Sequence, residues 1–467
     1  MTAPVAVVLA AGKGTRMRSA QPKVLHQAAG RPLLAWVLDA ARAAGCGQTL
    51  VIVGHGQTAV QTAFAGRQDV RWVVQEEQRG TGHALAQAAP FFEHERRILV
   101  LSGDVPLVSA RTLGQLLAAS RESWGAMAVA ELDQPGRLGR VLQAPDASLA
   151  RIVEHADANR AERAVRRVNA GLYALRAPAI FADLAGIDTD NAQGELYLTD
   201  ALGRAVAAGR RIALVPLADP AEALGVNDRC DLARVHRVLL DRVVERLMSE
   251  GVTVLEPART SIEPQVEVGA DSVIHPGVSL LGATVIGAGC QIHQGAWIRD
   301  SVIADGAVIK PYSVLDGARV GVRAAVGPLA RLRPGAHLGA AAAVGNFVEV
   351  KNATLGAGAK AGHLAYLGDA EVGAHANIGA GVVTCNFDGS AKHRTVIGEH
   401  AFIGSDTMLV APVVVGADAL TGAGSVITHD VPEGALGIGR SRQKDIPDWH
   451  ARQTLASKKV RGGKEKG

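Results

Sequence analysis

Val268-Gly269-Ala270-Asp271-Ser272-Val273-Ile274-His275-Pro276-Gly277-Val278-Ser279-Leu280-Leu281-Gly282-Ala283-Thr284-Val285-Ile286 sets an aliphatic residue at every sixth position. That spacing belongs to neither a helix nor an ordinary strand. Ile292 and Ile298 continue it. The phase slips by one residue and resumes at Ile303, Ile309 and Leu315, slips again to Val320, Val326, Leu332 and Leu338, and runs on through Val344 and Val350. Beyond a break near Cys385–Val396 it returns at Ile397, Ile403, Leu409 and Val415. A Gly or Ala commonly follows the aliphatic residue, as in Ile286-Gly287, Ile378-Gly379 and Ile403-Gly404. Hexads with small corner residues mark a parallel β-helix, in which each aliphatic side chain points into a prism. Three hexads close one triangular coil of about eighteen residues, so Val268–Ile427 holds about nine coils, fewer with the break removed.

A chain of 467 residues is too long for one compact domain. Glycine marks the division: of 54 glycines, 21 fall in residues 1–249 and 33 in the 218 that follow. The first part alternates two periodicities. Pro4–Leu9, Thr49–Val53, Val70–Val74 and Ile98–Leu101 read as strands; Pro32–Ala44, Ala59–Phe64, Ala84–Phe92 and Leu113–Ser120 have helical spacing. Such alternation predicts a mostly parallel sheet with helices on both faces, and places ligands at the carboxyl ends of the strands. Asp228–Ser249 reads as one long helix with Leu232, Val235, Leu239, Val243 and Leu247 on a stripe, a connector between the halves.

Charge and cysteine usage remove some function classes. The net charge is +4, and Ser457–Gly467, with five bases against Glu465, accounts for all of it. A nucleic-acid-binding face is therefore not expected, and the basic tail reads as a disordered end. Cys46, Cys230, Cys290 and Cys385 fit no metal spacing or disulfide framework, which implies a reduced compartment. Met1-Thr2-Ala3-Pro4 runs straight into a strand and no apolar run reaches membrane-spanning length, so a soluble cytoplasmic protein without membrane insertion is expected.

The turn after the first strand reads Leu9-Ala10-Ala11-Gly12-Lys13-Gly14-Thr15-Arg16-Met17. Its glycines let backbone N–H groups converge on one spot, an anion nest, while Arg16 and Lys23 add cations suited to phosphate. Nothing fits the third glycine of a dinucleotide fingerprint, and the turn is not a P-loop.

With Pro22-Lys23 behind it, this turn resembles that of the sugar nucleotidyltransferases. With the solenoid following, the chain from Val5 to about Arg442 resembles the bacterial bifunctional enzymes that fuse an N-acetylglucosamine-1-phosphate uridyltransferase to a glucosamine-1-phosphate N-acetyltransferase. The resemblance implies an α/β Rossmann-like nucleotidyltransferase domain (1–227), a connector helix (228–249), an all-β left-handed parallel β-helix of hexapeptide repeats (250–437) and a C-terminal tail (438–467). It implies a homotrimer that makes UDP-N-acetylglucosamine, a precursor of peptidoglycan and lipopolysaccharide, with UTP and acetyl-CoA as co-substrates and Mg²⁺ as cofactor.

Residue by residue, Leu9, Ala10, Ala11 and Gly12 with Lys23 match the phosphate turn, and Gln75 with the Gly80-Thr81-Gly82-His83-Ala84 turn the uracil-reading segment. An amide can both donate to and accept from a pyrimidine edge. Asp104, in Ser102-Gly103-Asp104, and Asn227 match the magnesium ligands, and Gly139, Glu154 and Asn169 the sugar and ribose contacts. Ser102 departs from the larger aromatic residue common in the family. In the solenoid His363 matches the general base; Arg333, Lys351 and Lys392 match phosphate contacts; Tyr366, Asn377 and Asn386 match sugar contacts. Ala380, Ser405, Ala423 and Arg440 match the acetyl-CoA contacts, with Asn386 and Phe387 beside them, and Phe387 replaces the usual tyrosine. Arg440, past the last coil, is expected to cross to a neighbouring subunit. Two other classes fit the same modules: a single-activity nucleotidyltransferase with a structural or regulatory solenoid, and an inactive assembly subunit. The first predicts no base-and-cation cluster on the coils; the second predicts loss of Lys23, Asp104 or Asn227, all of which are present.

Overall fold

The computed structural model describes residues 3–454; the basic tail Ser457–Gly467 lies outside the described residues. The chain forms two compact units, one of Met1–Leu247 with Ile262–Pro264 and one of Met248–Ser261 with the chain from Gln265 onward.

The first unit is a mixed α/β layer. Its sheet runs in the order Ile212–Pro216, Gly125–Glu131, Arg167–Ala177, Arg96–Ser102, Val5–Ala10, Gln48–Val53, Val70–Val74, with a short ribbon, Arg140–Gln143 and Leu149–Val153, beside it. Arg167–Ala177 is antiparallel to both of its long neighbours, and the remaining pairs on that path are parallel. Val5, Ala6, Val7 and Val8 are buried on both faces, as a central parallel strand must be. The helical spacings appear as Leu33–Ala43, Gln57–Ala63 and Ala110–Ala119. The expected helix Ala84–Phe92 is instead Thr81–Ala86 followed by a short 3₁₀ turn, Ala89–Phe91, with Pro90 in it. Proline removes a backbone donor, so one continuous α-helix cannot cross it unstrained.

The long helix Arg229–Ser249 is built into this unit over its first turns. Val235, Leu239 and Leu240 pack with Met17, Ala28, Leu33, Leu107 and Val226. The Ala29 N–H donates to His236 Nδ1 at 3.0 Å, and Arg242 donates to the Leu107 carbonyl at 2.9 Å.

The second unit is an all-β left-handed parallel β-helix. Successive short strands take three sheets in turn, and these sheets hold eleven, ten and nine strands. Ile274, Ile292 and Ile309 stand in register in the first, Leu280, Ile298 and Leu315 in the second, and Ile286, Ile303 and Val320 in the third, all buried. A second buried ladder stands two residues before the aliphatic one: Ser272, Cys290, Ala307, Ala324, Ala342, Ala359 and Ala376 are fully buried. The interior width leaves space only for small side chains there.

The phase slips have a backbone cause. Where the period is six, a residue in the left-handed region commonly stands three after the aliphatic one, as at Asp271, Gly277 and Tyr312. Where it is five, that residue stands two after: Asp300, Gly317, Asn352 and Asp369. The turn has shortened while the strand register is kept. The repeat runs on through 384. Thr384 takes the interior position, fully buried, and its hydroxyl accepts from the Gly368 N–H at 2.8 Å and reaches the Gly368 carbonyl at 2.9 Å. The interruption is a loop over residues 386–394, within the break expected near Cys385–Val396, after which Thr395–Ile397 resumes the third sheet.

Candidate active sites

In the first unit a cleft of about 510 Å³ opens at the carboxyl ends of the central strands. Of the residues picked from sequence, Leu9, Ala10, Ala11, Gly12, Lys23, Gln75, Gly80, Thr81, Ser102 and Asp104 line it. Gly103 lies behind, its N–H donating to the Leu9 carbonyl at 2.9 Å. Gly14 has φ 60°, and a Cβ there would fall 2.8 Å from Lys23 Cβ. Only glycine lets the lysine stem cross the turn this closely. The Lys23 ammonium is thereby seated on the Asp104 carboxylate, both side chains largely buried. Beside them Arg16 donates to Asn227 Oδ1 at 2.9 Å, and the Val226 N–H donates to the Asp104 carbonyl at 2.9 Å, which ties the two acceptor residues together. A carboxylate and an amide oxygen, each already holding a cation, form the hard-oxygen donor set that Mg²⁺ takes alongside phosphate and water, so these residues fit the metal.

Gln75 is 2% exposed, and its Nε2 is 3.3 Å from the Gly80 carbonyl and 2.9 Å from His83 Nδ1. Gly80 has φ 110°, and a Cβ there would fall 2.5 Å from the Leu196 carbonyl oxygen, so no larger residue holds this turn. Gly139, Glu154 and Asn169 form a neighbouring cluster rather than part of the cleft wall. A Cβ on Gly139 would stand 3.1 Å from Glu154 Oε2, and the Asn169 N–H donates to the Gly139 carbonyl at 2.9 Å. Burial pushes the Glu154 carboxyl above its usual range; a hydrogen bond from Thr199 at 3.0 Å opposes this, and Asp200 and Asp157 reinforce it. Gly171, whose N–H donates to Asn169 Oδ1 at 3.0 Å, leaves room for Ser102 Oγ, so the cluster adjoins the cleft there. Thr199, Gln78 and Glu195 belong to these walls and were not picked from sequence; Gln78 lies between Gln75 and the Gly80–Ala84 turn, which were.

On the solenoid the expected base and coenzyme contacts fall into one column. His363 follows Lys360–Ala361–Gly362 at the end of a strand of the first sheet, two residues past the buried Ala361. Ala380, Ser405 and Ala423 stand two residues past Ile378, Ile403 and Thr421, which are paired in register above Ala361. The corner is stitched along its length: the Gly381 N–H donates to the Leu364 carbonyl at 2.8 Å, Asp406 to Ala380 at 2.6 Å and Gly424 to Ser405 at 2.8 Å. Arg440 continues this column, its Cδ within 4.0 Å of where a Gly424 Cβ would be. The strand Leu436–Gly437 adds one more rung, and Arg440 follows it on the same corner.

The cations gather on the outer face of the second sheet. Arg333 and Lys351 are successive outward positions past the paired Leu332 and Val350, and Arg333 donates to Glu349 at 2.8 Å. The loop 386–394 brings Lys392 to them. Asp388 holds that loop, accepting from the Ser390 and Ala391 N–H groups at 2.7 Å each and pairing with His393 at 2.7 Å. Lys392, then Arg333, lowers the proton affinity of Lys351. Burial alone would raise the Asp369 carboxyl, but hydrogen bonds from Asn352 and Asn386 and the charges of Lys392 and Lys351 hold it below the carboxylate range. Tyr366 lies across Gly368, the strand partner of Lys351. Phe387 is 60% exposed on the loop. Asn377 is not brought to this group: it stands in the first sheet, in register with Lys360 and Phe402, on a different face of the prism.

Residues 6–174 match the MobA-like NTP transferase domain, and residues 394–429 the bacterial transferase hexapeptide (six repeats). Across nearly its whole length the chain is similar to proteins known as Bifunctional protein GlmU. It is 50% identical over 450 residues to that of Syntrophotalea carbinolica, covering 96% of this chain and 97% of the relative. It is 49% identical over 443 residues to that of Alkalilimnicola ehrlichii, with 95% of each chain covered, and 50% identical over 443 residues to that of Stutzerimonas stutzeri, with 95% and 98% covered.

Proposed function

This chain belongs to the family of bifunctional GlmU proteins, and from that premise we propose that the cleft and the solenoid corner are the two catalytic centres of one enzyme. The enzyme acts in UDP-N-acetylglucosamine synthesis. It transfers acetyl from acetyl-CoA to glucosamine-1-phosphate, then uridyl from UTP to N-acetylglucosamine-1-phosphate, releasing pyrophosphate. The single-activity alternative is not favoured, and the base-and-cation cluster on the coils tells against it.

In uridyl transfer a phosphate oxygen of the sugar-1-phosphate attacks the α-phosphorus of UTP in line. No side-chain nucleophile is needed, because the attacking group is already an anion. Lys23, Arg16 and the Ala11–Gly14 backbone position the phosphates and neutralise their charge. Gln75 and Gly80 hold the uracil, and Gly139, Glu154 and Asn169 hold the sugar and ribose. Asp104 and Asn227 would hold Mg²⁺, which would supply charge neutralisation at the phosphates.

In acetyl transfer His363 takes a proton from the sugar amine as its nitrogen attacks the thioester carbonyl, and the thiol of coenzyme A leaves. Arg333, Lys351 and Lys392 bind the sugar phosphate, whose charge relieves their mutual repulsion, while Tyr366 and Asn386, with the Asn377 of a neighbouring copy, hold the sugar. Ala380, Ser405, Ala423 and Arg440 form the coenzyme track, with Phe387 beside it. The observation that carries this reading is the column itself: the base stands at the foot of the residues assigned to the coenzyme.

We propose further that the enzyme is a cytoplasmic homotrimer. Four free cysteines fit a reducing compartment, and among the described residues no helix is long and apolar enough to cross a membrane. The division into a nucleotidyltransferase domain to residue 227, the helix, and a solenoid to residue 437 belongs to the same reading.

Incubation with glucosamine-1-phosphate, acetyl-CoA, UTP and Mg²⁺, followed by mass spectrometry, should yield UDP-N-acetylglucosamine, free coenzyme A and pyrophosphate. Uridylation of added N-acetylglucosamine-1-phosphate with no acetylation of glucosamine-1-phosphate would overturn the bifunctional reading.

A further inference from the structure

Gln75 is nearly sealed from solvent, yet an amide is ambiguous: turned by half a rotation, it offers a donor where it offered an acceptor. Two acceptors lie on the Nε2 side, the Gly80 carbonyl at 3.3 Å and His83 Nδ1 at 2.9 Å. Resting on the reading that Gln75 meets the base of the nucleotide, we infer that His83 is a positioning residue for nucleobase choice. Its Nδ1 takes one hydrogen of the Gln75 amide and thereby fixes the amide oxygen as the atom that faces the base.

The chemistry is that of a short polar relay. A neutral imidazole has one donor and one acceptor nitrogen. Both nitrogens of His83 have an amide beside them, Gln75 Nε2 at 2.9 Å from Nδ1 and the Gln87 amide at 3.2 Å from Nε2. The shorter and more deeply buried contact is the costlier one to leave mismatched. Nδ1 therefore accepts from Gln75, and the ring proton sits on Nε2 toward Gln87, whose half-buried amide gives up its 3.1 Å bond to the His83 carbonyl when it turns its oxygen to meet that proton. With both Nε2 hydrogens of Gln75 engaged, by His83 and by Gly80, only Oε1 is left for a ligand. An acceptor there takes the N3–H of uracil and repels the bare N3 of cytosine. A buried polar group left facing its like is what gives such a site its discrimination. His83 itself need never touch the substrate.

The test uses the full-length enzyme and steady-state uridyl transfer with UTP or CTP, with acetyl transfer as the folding control. His83→Leu should raise KM for UTP about tenfold and lower the preference for UTP over CTP by a similar factor, with kcat nearly unchanged, the pattern of lost uniform binding. His83→Asn places an oxygen acceptor where Nδ1 was and should restore most of the preference. His83→Gln reaches instead to the place of Nε2 and should not. A merely structural role would be met equally by Asn and Gln, so equal preferences in those two variants would overturn the inference, even if His83→Leu failed to fold. A changed preference in Gln75→Leu with none in His83→Leu would show that Gln75 reads the base unaided and would also overturn it. Were Gln75→Leu itself without effect on the preference, the reading of Gln75 as the base contact would fall, and this inference with it.

Discussion

Glu154 is a carboxylate kept where it is expensive to keep. Burial, with the nearby Asp200 and Asp157, raises its proton affinity, and among the described residues Thr199 alone offers its carboxylate a hydrogen bond in opposition. A group whose pKa is higher folded than unfolded makes the native state hold more protons, so its effect on stability worsens as pH rises through the folded value. Replacing Glu154 by Gln removes that dependence while keeping an oxygen for Thr199. The ligand-free Glu154→Gln variant should melt higher than the native protein at pH 8, with a smaller difference at pH 5, and its KM for N-acetylglucosamine-1-phosphate should rise. A native protein that melted higher at both pH values would refute this assignment of strain. At this scale the sequence marks Glu154, Asn169 and Asp104 only through their order and spacing. Thr199, Gln78 and Glu195 escape it, because a single polar residue in a loop carries no period and is recognised only by what the fold sets beside it. Asn352 and Asp369, which flank the cation group, did carry a signal: both sit where the hexad shortens to five, at left-handed corners that tolerate Asn and Asp.

Among elements, the solenoid was the most legible because its aliphatic positions repeat one environment many times over. The helices and strands of the first unit also stand near where their periodicities put them, except where Pro90 interrupts Ala84–Phe92. The second buried ladder was not legible: it mixes Ala, Ser, Thr, Cys and Val, all small but unlike in polarity, and a hydrophobic pattern does not see it. Nor was the interior role of Thr384, which satisfies its hydroxyl locally and so reads as a break in an apolar series. Because no ladder residue is larger than Val, a larger side chain there should be felt more than a change of chemistry. Ala359, fully buried just before the strand that carries His363, is the sharpest place to ask. Ala359→Leu should destabilise the solenoid by roughly 1–3 kcal/mol. Ala359→Ser should cost less, because serine already occupies the equivalent position at 272. Denaturant unfolding of both variants checks this; equal losses would show that volume does not govern the ladder.

For the whole molecule, the placement of Asn377 has a consequence for assembly. Arg333, Lys351 and Tyr366 stand on the second sheet and Asn377 on the first, with the His363 corner between them. Two outer faces of one convex prism diverge, so a single chain cannot close all four residues around one sugar phosphate. If they share a site, the first-sheet face must come from another copy, and a ring closed about a threefold axis gives each chain one partner on each side. That placement supports the proposed homotrimer without resting on the crossing of Arg440. Chains carrying Lys351→Ala keep a sound first-sheet face, and chains carrying Asn377→Ala keep a sound second-sheet face. Mixed under conditions that exchange subunits, these two inactive parents should regenerate intact sites where an Asn377→Ala chain presents its second sheet to the first sheet of a Lys351→Ala chain. Acetylation above the sum of the parents, with a three-chain mass by light scattering, is the expected outcome, while uridyl transfer stays at the native level throughout because its cleft lies wholly within the first unit. Mixed assemblies no more active than their parents, in a sample shown to have exchanged, would mean that each chain builds its acetyl-transfer site alone and that Asn377 is not part of it.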